Sequence, residues 1–112
     1  MMKRGDIFFA SLDPARGAEI QKTRPVVVLS NDASNRASAL VTIVPLTSNV
    51  TTVYPFEVRL DAKETGLSKD GKAMAQQVRT IDRSRLGSIR RGQVPAQKMQ
   101  TINDALRLHL AL

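Results

Sequence analysis

No cysteine occurs among the 112 residues, so neither a disulfide framework nor thiolate chemistry is open to this chain. With one histidine and carboxylates scattered singly, no metal-ligand spacing is present, and neither a metal nor another cofactor is expected. Tryptophan is absent, and a single tyrosine with three phenylalanines is little material for stacking a row of bases. No apolar stretch approaches the ~20 residues of a membrane-crossing helix. The basic start MMKRGDIFFASLDP contains an apolar run bracketed by Asp6 and Asp13, too short for a signal peptide. These absences are read as a soluble, cytoplasmic protein with no membrane partner.

Acidic residues are also scarce: ten Asp and Glu stand against seventeen Lys and Arg, a formal charge of +7. On so small a body this favours a polyanionic partner, nucleic acid before a membrane surface. The plainer alternative is charge that only maintains solubility. The apolar fraction of 42% is ordinary, and the length suits one domain spanning 1–112.

The pattern along the chain is mainly β. IFFASL (7–12) reads as a strand closed by Asp13-Pro14, and 14–24 as a polar, functional loop. VVVLS (26–30) is a β-branched run expected of a strand covered on both faces. Residues 31–39 read as a loop or one helical turn, and LVTIVPL (40–46) as a third strand. In PFEVRL (55–60), Phe56, Val58 and Leu60 alternate with Glu57 and Arg59, the period of a half-buried strand. Short strands are also expected over 72–78 and 86–90. The tail changes period: Met99, Ile102, Leu106 and His109 or Leu110 share one helical face, with Pro95 in the first turn. The expected architecture is a small antiparallel β-barrel with a C-terminal amphipathic helix packed on it.

The stretch KTRPVVVLSND places Arg24 at the mouth of a strand entering the core. If Val26 pairs with Pro45 across the 31–39 connection, Arg24 falls opposite Thr47, and a guanidinium shares one rim with the Thr47 and Ser48 hydroxyls. That is a kit for holding phosphate, since arginine offers a planar fork of donors and the hydroxyl adds another. In RNA the 2′-hydroxyl can itself be the nucleophile, so the protein need only align it and stabilise the growing charge. The structural alternative is that Arg24 ties a sheet edge to Glu19 while Thr47-Ser48 makes a turn.

Other residues divide between roles. His109 continues the apolar helical face and reads as core or interface rather than as a base. Arg79, Arg83, Arg85, Arg90, Arg91 and Lys98 stand against Asp82 alone over 79–98, either as an RNA-facing surface or as a solvated face. Phe56 reads as core, and Tyr54 as a residue able to stack a base.

Taken in order, KRGDIFFASLDPARGAE, TRPVVVLSNDASN, VPLTSN, YPFEVRL, QQVRTIDRSRLG and the closing ALRLHLAL resemble the MazF/PemK family of toxin endoribonucleases over nearly the whole chain. The resemblance implies an SH3-like barrel, a homodimer, and metal-independent cutting of single-stranded RNA at short sequence motifs. It further implies a cognate antitoxin with an acidic tail. Residue by residue, it places catalysis on Arg24 and Thr47 with Glu19 as candidate base. It places Ser48 as a phosphate or base contact and Arg79 as a structural or RNA-backbone contact, and Lys22, Asn49, Tyr54 and Gln76 are further RNA-binding candidates. The chain departs from many relatives in having Gln76, which cannot take a proton, at a place they fill with an acid, and Ala18 where some carry histidine. A similar barrel is found in CcdB-type toxins, which bind DNA gyrase without chemistry, and that is the alternative reading.

Overall fold

The computed structural model describes residues 2–112. Strands β1 (Asp6–Ser11) and β2 (Thr23–Val28) form an antiparallel pair, followed by helix α1 (Asp32–Ala37) and the long strand β3 (Leu40–Thr47). Then come β4 (Glu57–Leu60), α2 (Ala62–Thr65), β5 (Gly71–Met74), β6 (Arg79–Asp82), β7 (Gly92–Gln93) and the terminal helix α3 (Ala96–Leu110). The order in the sheet is β4-β5-β3-β2-β1-β7, with β6 also on β3, so the strands curl into a half-barrel against which α3 packs.

Strand β3 is the hub of this sheet. One edge takes β2, while the other takes β6 along its first half and β5 at its last two residues. The expected strand over 72–78 is therefore interrupted: β5 stops at Met74 and Ala75–Gln77 make a 3₁₀ turn before β6 begins. The registers on either side are offset by the 3 residues of that turn, so β5 and β6 share one edge of the hub in two separate registers. The expected strand over 86–90 is also corrected. Only Leu86 bridges to β1, at Ala10, and the regular pairing falls later, at Gly92 and Gln93. Gly87 N and Arg91 N each donate to a β1 carbonyl at 2.7 Å, while the exposed residues 88–90 between them lie outside any strand. Gly92 passes so close beneath the Thr65 carbonyl that a Cβ would collide with it.

The Val26–Val28 run is fully buried, as its β-branched composition requires of a strand covered on both faces. Val27 joins Ile7, Val44, Met99 and Ile102 in the layer beneath α3, whereas Val26 and Val28 join Phe8, Ile43 and Ile81 in a second cluster. Helix α3 docks through Met99, Ile102 and Ala105, and Ile102 alone, at 0% exposure, contributes roughly 1.5–3 kcal/mol. Its last turn overshoots the sheet: Leu106 is half-buried, but His109 and Leu110 are exposed, so His109 is not a core residue. Pro95 sits at the N-cap, one place before the first turn. Helix α2 lay unrecognised in DAKE, where Glu64 Oε2 accepts from Asp61 N at 2.8 Å, half of a capping box.

Candidate active site

The β2–β3 ladder pairs Val26 with Pro45, Val27 with Val44 and Val28 with Ile43. Pro25, which has no N–H to give, lies beyond the last of these pairs and so costs the ladder nothing. The same register carried outward sets the start of β2 beside the end of β3. There Arg24, Thr47 and Ser48 line a single cavity of about 450 Å³. Phe9 of β1, the 66–71 turn and Arg91 complete its wall.

Half-buried Arg24 is held by its Nε, which donates to Gln21 O at 3.0 Å. Among the described residues its two terminal nitrogens have no partner in the chain, which leaves them for an anion. The Thr47 hydroxyl accepts from Asn49 N at 3.3 Å, so its own proton remains free to be donated. Asn49 is occupied in turn, its Oδ1 accepting from Thr51 N at 3.2 Å in an Asx turn. Ser48 is exposed on the rim. Lys22, two residues before Arg24, is exposed and takes a left-handed backbone (φ 71°), with its N–H donated to Asp13 Oδ1 at 2.9 Å.

Glu19 and Arg79 do not share this cavity. They line a second concavity with Arg16, Gln76 and Gln77. Glu19 Oε1 accepts from Arg16 N at 2.6 Å, closing the tip of the first loop, so the alternative of a tie between Glu19 and Arg24 is not what is seen. Gln76 lies at the edge of this concavity, with Nε2 donating to Glu57 Oε2 at 2.8 Å and Oε1 buried without a partner among the described residues. Tyr54 is exposed, but its ring is engaged within the fold, stacked on Phe56 at 5.4 Å and 8° between planes and with Lys72 Nζ 5.8 Å from its centre.

Two cations complete the main cavity: Lys69 on the 66–71 turn, which the sequence did not single out, and Arg91 of the basic 79–98 segment, whose guanidinium lies 5.2 Å from the centre of the exposed Phe9 ring. Their positions follow from the tertiary course of loops, for which the sequence carries no spacing signal. Most of the basic segment is instead engaged within the fold. Arg83 binds the Asn35 and Ser38 carbonyls, Arg85 those of Ser11 and Asp13, and Arg90 faces Asp6. The one carboxylate of the cavity, Asp70, is likewise engaged, accepting from Arg59 Nη2 at 3.1 Å and Ala62 N at 2.8 Å.

Glu57 breaks the alternation expected of its strand: Val58 and Leu60 are buried and Arg59 exposed, but Glu57 is buried too. Burial acts to raise its pKa. Donation from Lys72, Gln76 and the Tyr54 backbone outweighs that effect and holds the carboxyl below the ordinary glutamate range.

Residues 3–110 match the family described as the PemK-like, MazF-like toxin of type II toxin–antitoxin systems. Endoribonuclease MazF9 of Mycobacterium tuberculosis is 47% identical over 118 residues, covering 100% of this chain and 98% of that protein. Among solved structures, MazF from Deinococcus radiodurans superposes with a TM-score of 0.85 at 30% identity, over 99% of this chain and 97% of that one. A mycobacterial endoribonuclease in complex with its cognate antitoxin gives a TM-score of 0.81 at 27% identity, covering 100% of this chain and 97% of that one. With its half-barrel fold shared with these solved toxins and its sequence matched over residues 3–110, this chain belongs to the PemK-like, MazF-like toxin family.

Proposed function

We propose that this chain, an endoribonuclease toxin of its family, cleaves unpaired RNA at the Arg24–Thr47 cavity through attack by the RNA's own 2′-hydroxyl. The observation that carries this reading is the meeting of Arg24, with free guanidinium nitrogens, and Thr47, with a free hydroxyl proton, in one cavity. Both donate to the phosphoryl oxygens as charge builds there. The 2′-oxygen forms its bond to phosphorus while the bond to the 5′-oxygen breaks. The 2′ proton passes by way of a phosphoryl oxygen to the departing 5′-oxygen, leaving a 2′,3′-cyclic phosphate and a 5′-hydroxyl. Glu19 stands outside this step, because the second concavity holds it, and Asp70 has both oxygens engaged. Arginine is a poor base at its ordinary pKa, so Arg24 acts as a charge stabiliser.

Unpaired RNA is the fitting substrate, since A-form pairing hides base edges and resists in-line geometry. Selectivity for short motifs is assigned to Ser48 on the cavity rim, to exposed Lys22 two residues before Arg24, and to Arg79 in the second concavity, which Gln76 also lines. The net charge of +7 suits a cognate antitoxin with an acidic tail, and the exposed Leu108, Leu110 and Leu112 suit a homodimer face. The test is incubation with a long, weakly structured RNA in excess EDTA, beside Arg24→Ala, with product ends read by mass spectrometry. Discrete fragments ending in cyclic phosphate, lost with the variant and with 2′-deoxy substitution at the cut site, are expected. Intact RNA at high protein concentration would discard the nuclease reading and turn attention to gyrase binding.

A further inference from the structure

Lysine is a costly choice for a buried strand position, yet Lys72 in β5 keeps a side chain only 10% exposed, against a Glu57 side chain only 2% exposed. Removing both charges from water carries a penalty that a well-packed apolar pair would avoid, so this pair is weak evidence of a stabilising device. Its hydrogen bonds converge elsewhere. Lys72 Nζ donates to Glu57 Oε1 at 2.8 Å and to the Thr52 carbonyl at 2.6 Å. Glu57 Oε1 also accepts from Tyr54 N at 3.1 Å, while Glu57 N donates to Tyr54 O at 2.8 Å. Both members therefore grip the backbone of a single segment, 48–56, which has no helix or strand of its own.

That segment starts at the active cavity. Its first residues are Ser48 on the rim and Asn49, whose N–H donates to the Thr47 hydroxyl. Lys72 is moreover the cross-strand partner of Thr47 in the β3–β5 ladder. One residue thus stands opposite Thr47 in the sheet and holds, at Thr52, the backbone of the loop whose Asn49 N–H bonds the Thr47 hydroxyl.

We propose that the buried Lys72–Glu57 pair is a clamp on the 48–56 loop, which makes Lys72 and Glu57 positioning residues for RNA cleavage at Thr47. The inference rests on the nuclease reading of the cavity, but the clamp itself can be read without RNA. Tyr54 is the only tyrosine and tryptophan is absent, so tyrosine emission reports this loop alone.

The decisive variant is Lys72→Met with Glu57→Leu, which removes both charges without leaving either buried alone and so preserves the fold. Circular dichroism and the melting temperature check that it does; Lys72→Gln with Glu57→Gln serves as a second variant of the same kind. Acrylamide quenching of Tyr54 is expected to rise in the folded variant, and kcat on a short RNA to fall roughly tenfold or more with KM little changed. Lys72→Arg, which can keep the contact with Glu57, should recover part of the loss. A folded double variant with unchanged quenching shows that the pair does not hold the loop. Raised quenching with unchanged kcat shows that the loop does not position Thr47, and either result overturns the proposal. If the native protein leaves RNA intact, the nuclease reading fails and the positioning role with it, while quenching still decides whether the clamp exists.

Discussion

Val26 stands directly opposite Pro45 in the β2–β3 ladder, and this pair determines where the cavity forms. Shifting β3 by one residue would exchange the side chains it gives to the two core layers, Val44 and Leu46 on one face with Val41 and Ile43 on the other, so the packing of both layers holds the register that brings Arg24 near Thr47. The polar site is therefore positioned by apolar packing. Val26, Val27 and Val28, all at 0% exposure, align a guanidinium and a hydroxyl they need not touch.

Arg24→Ala is expected to lower kcat by about 10²-fold or more, as the loss of a donor to a developing oxyanion does. Thr47→Val, similar in shape but without the hydroxyl, should lose comparable activity, whereas Thr47→Ser keeps both the acceptor for Asn49 N and the donated proton and should retain most of it. Single-turnover cleavage with matched melting curves checks this. Equal activity in Thr47→Val and Thr47→Ser would remove the hydroxyl from the mechanism.

The two strands were readable from Val26–Val28 and the apolar run of β3, but their register was only a supposition, because a connection as long as 31–39 does not fix it; the structure has the supposed pairing of Val26 with Pro45. The terminal helix was readable from its period as far as Leu106. Beyond that the sequence repeats Leu108 and Leu110 without saying that the sheet has ended, and both are exposed. The turn at Ala75–Gln77 contains neither glycine nor proline, so the sequence carries no local mark of the break between β5 and β6. The burial of Glu57 was hidden for a similar reason. Its partner Lys72 is 15 residues away, and nothing in PFEVRL announces it.

Salt dependence separates the free cations from those engaged in the fold. Each phosphate contact to single-stranded nucleic acid contributes a slope of about 0.7 in log affinity against log salt. Arg91→Ala and Lys69→Ala, at the cavity wall, should each reduce the slope by roughly that amount. Arg83→Ala should leave it unchanged and instead destabilise the fold, because that side chain is held by the Asn35 and Ser38 carbonyls. Binding titrations of an uncleavable 2′-deoxy oligonucleotide across a salt series provide the measurement.

Glu57 also sets an acid limit. Its folded pKa lies below the ordinary glutamate value, so its ionised form favours the native state. The contribution is fully present above the unfolded pKa, about 4.3, and is lost as pH falls through the lower, folded value. Glu57→Gln should flatten the stability profile below about pH 4 while lowering stability at neutral pH, where Lys72 loses its countercharge. Urea denaturation at a series of pH values compares the slopes, and parallel profiles would show that other carboxylates govern acid unfolding.

Gly71 gives the most direct access to Thr47 without altering any polar group. A Cβ at this position would lie 2.9 Å from the Thr47 carbonyl oxygen, and the obstacle is backbone rather than a flexible side-chain end. Gly71→Ala must therefore push β5 and β3 apart at the last rung of their ladder, where Lys72 pairs with Thr47. The expected cost is about 1–3 kcal/mol of stability. Cleavage should fall further than that loss explains, because the displaced strand end carries the Thr47 hydroxyl to which the proposed step assigns a donor role. Gly66→Ala supplies the comparison: its added Cβ meets nothing within 4 Å, and its strain comes only from a positive φ of 86° in the same turn. If the two variants lose stability equally and cleave RNA equally well at a temperature where both are folded, the position of Thr47 tolerates more displacement than in-line attack at this cavity allows.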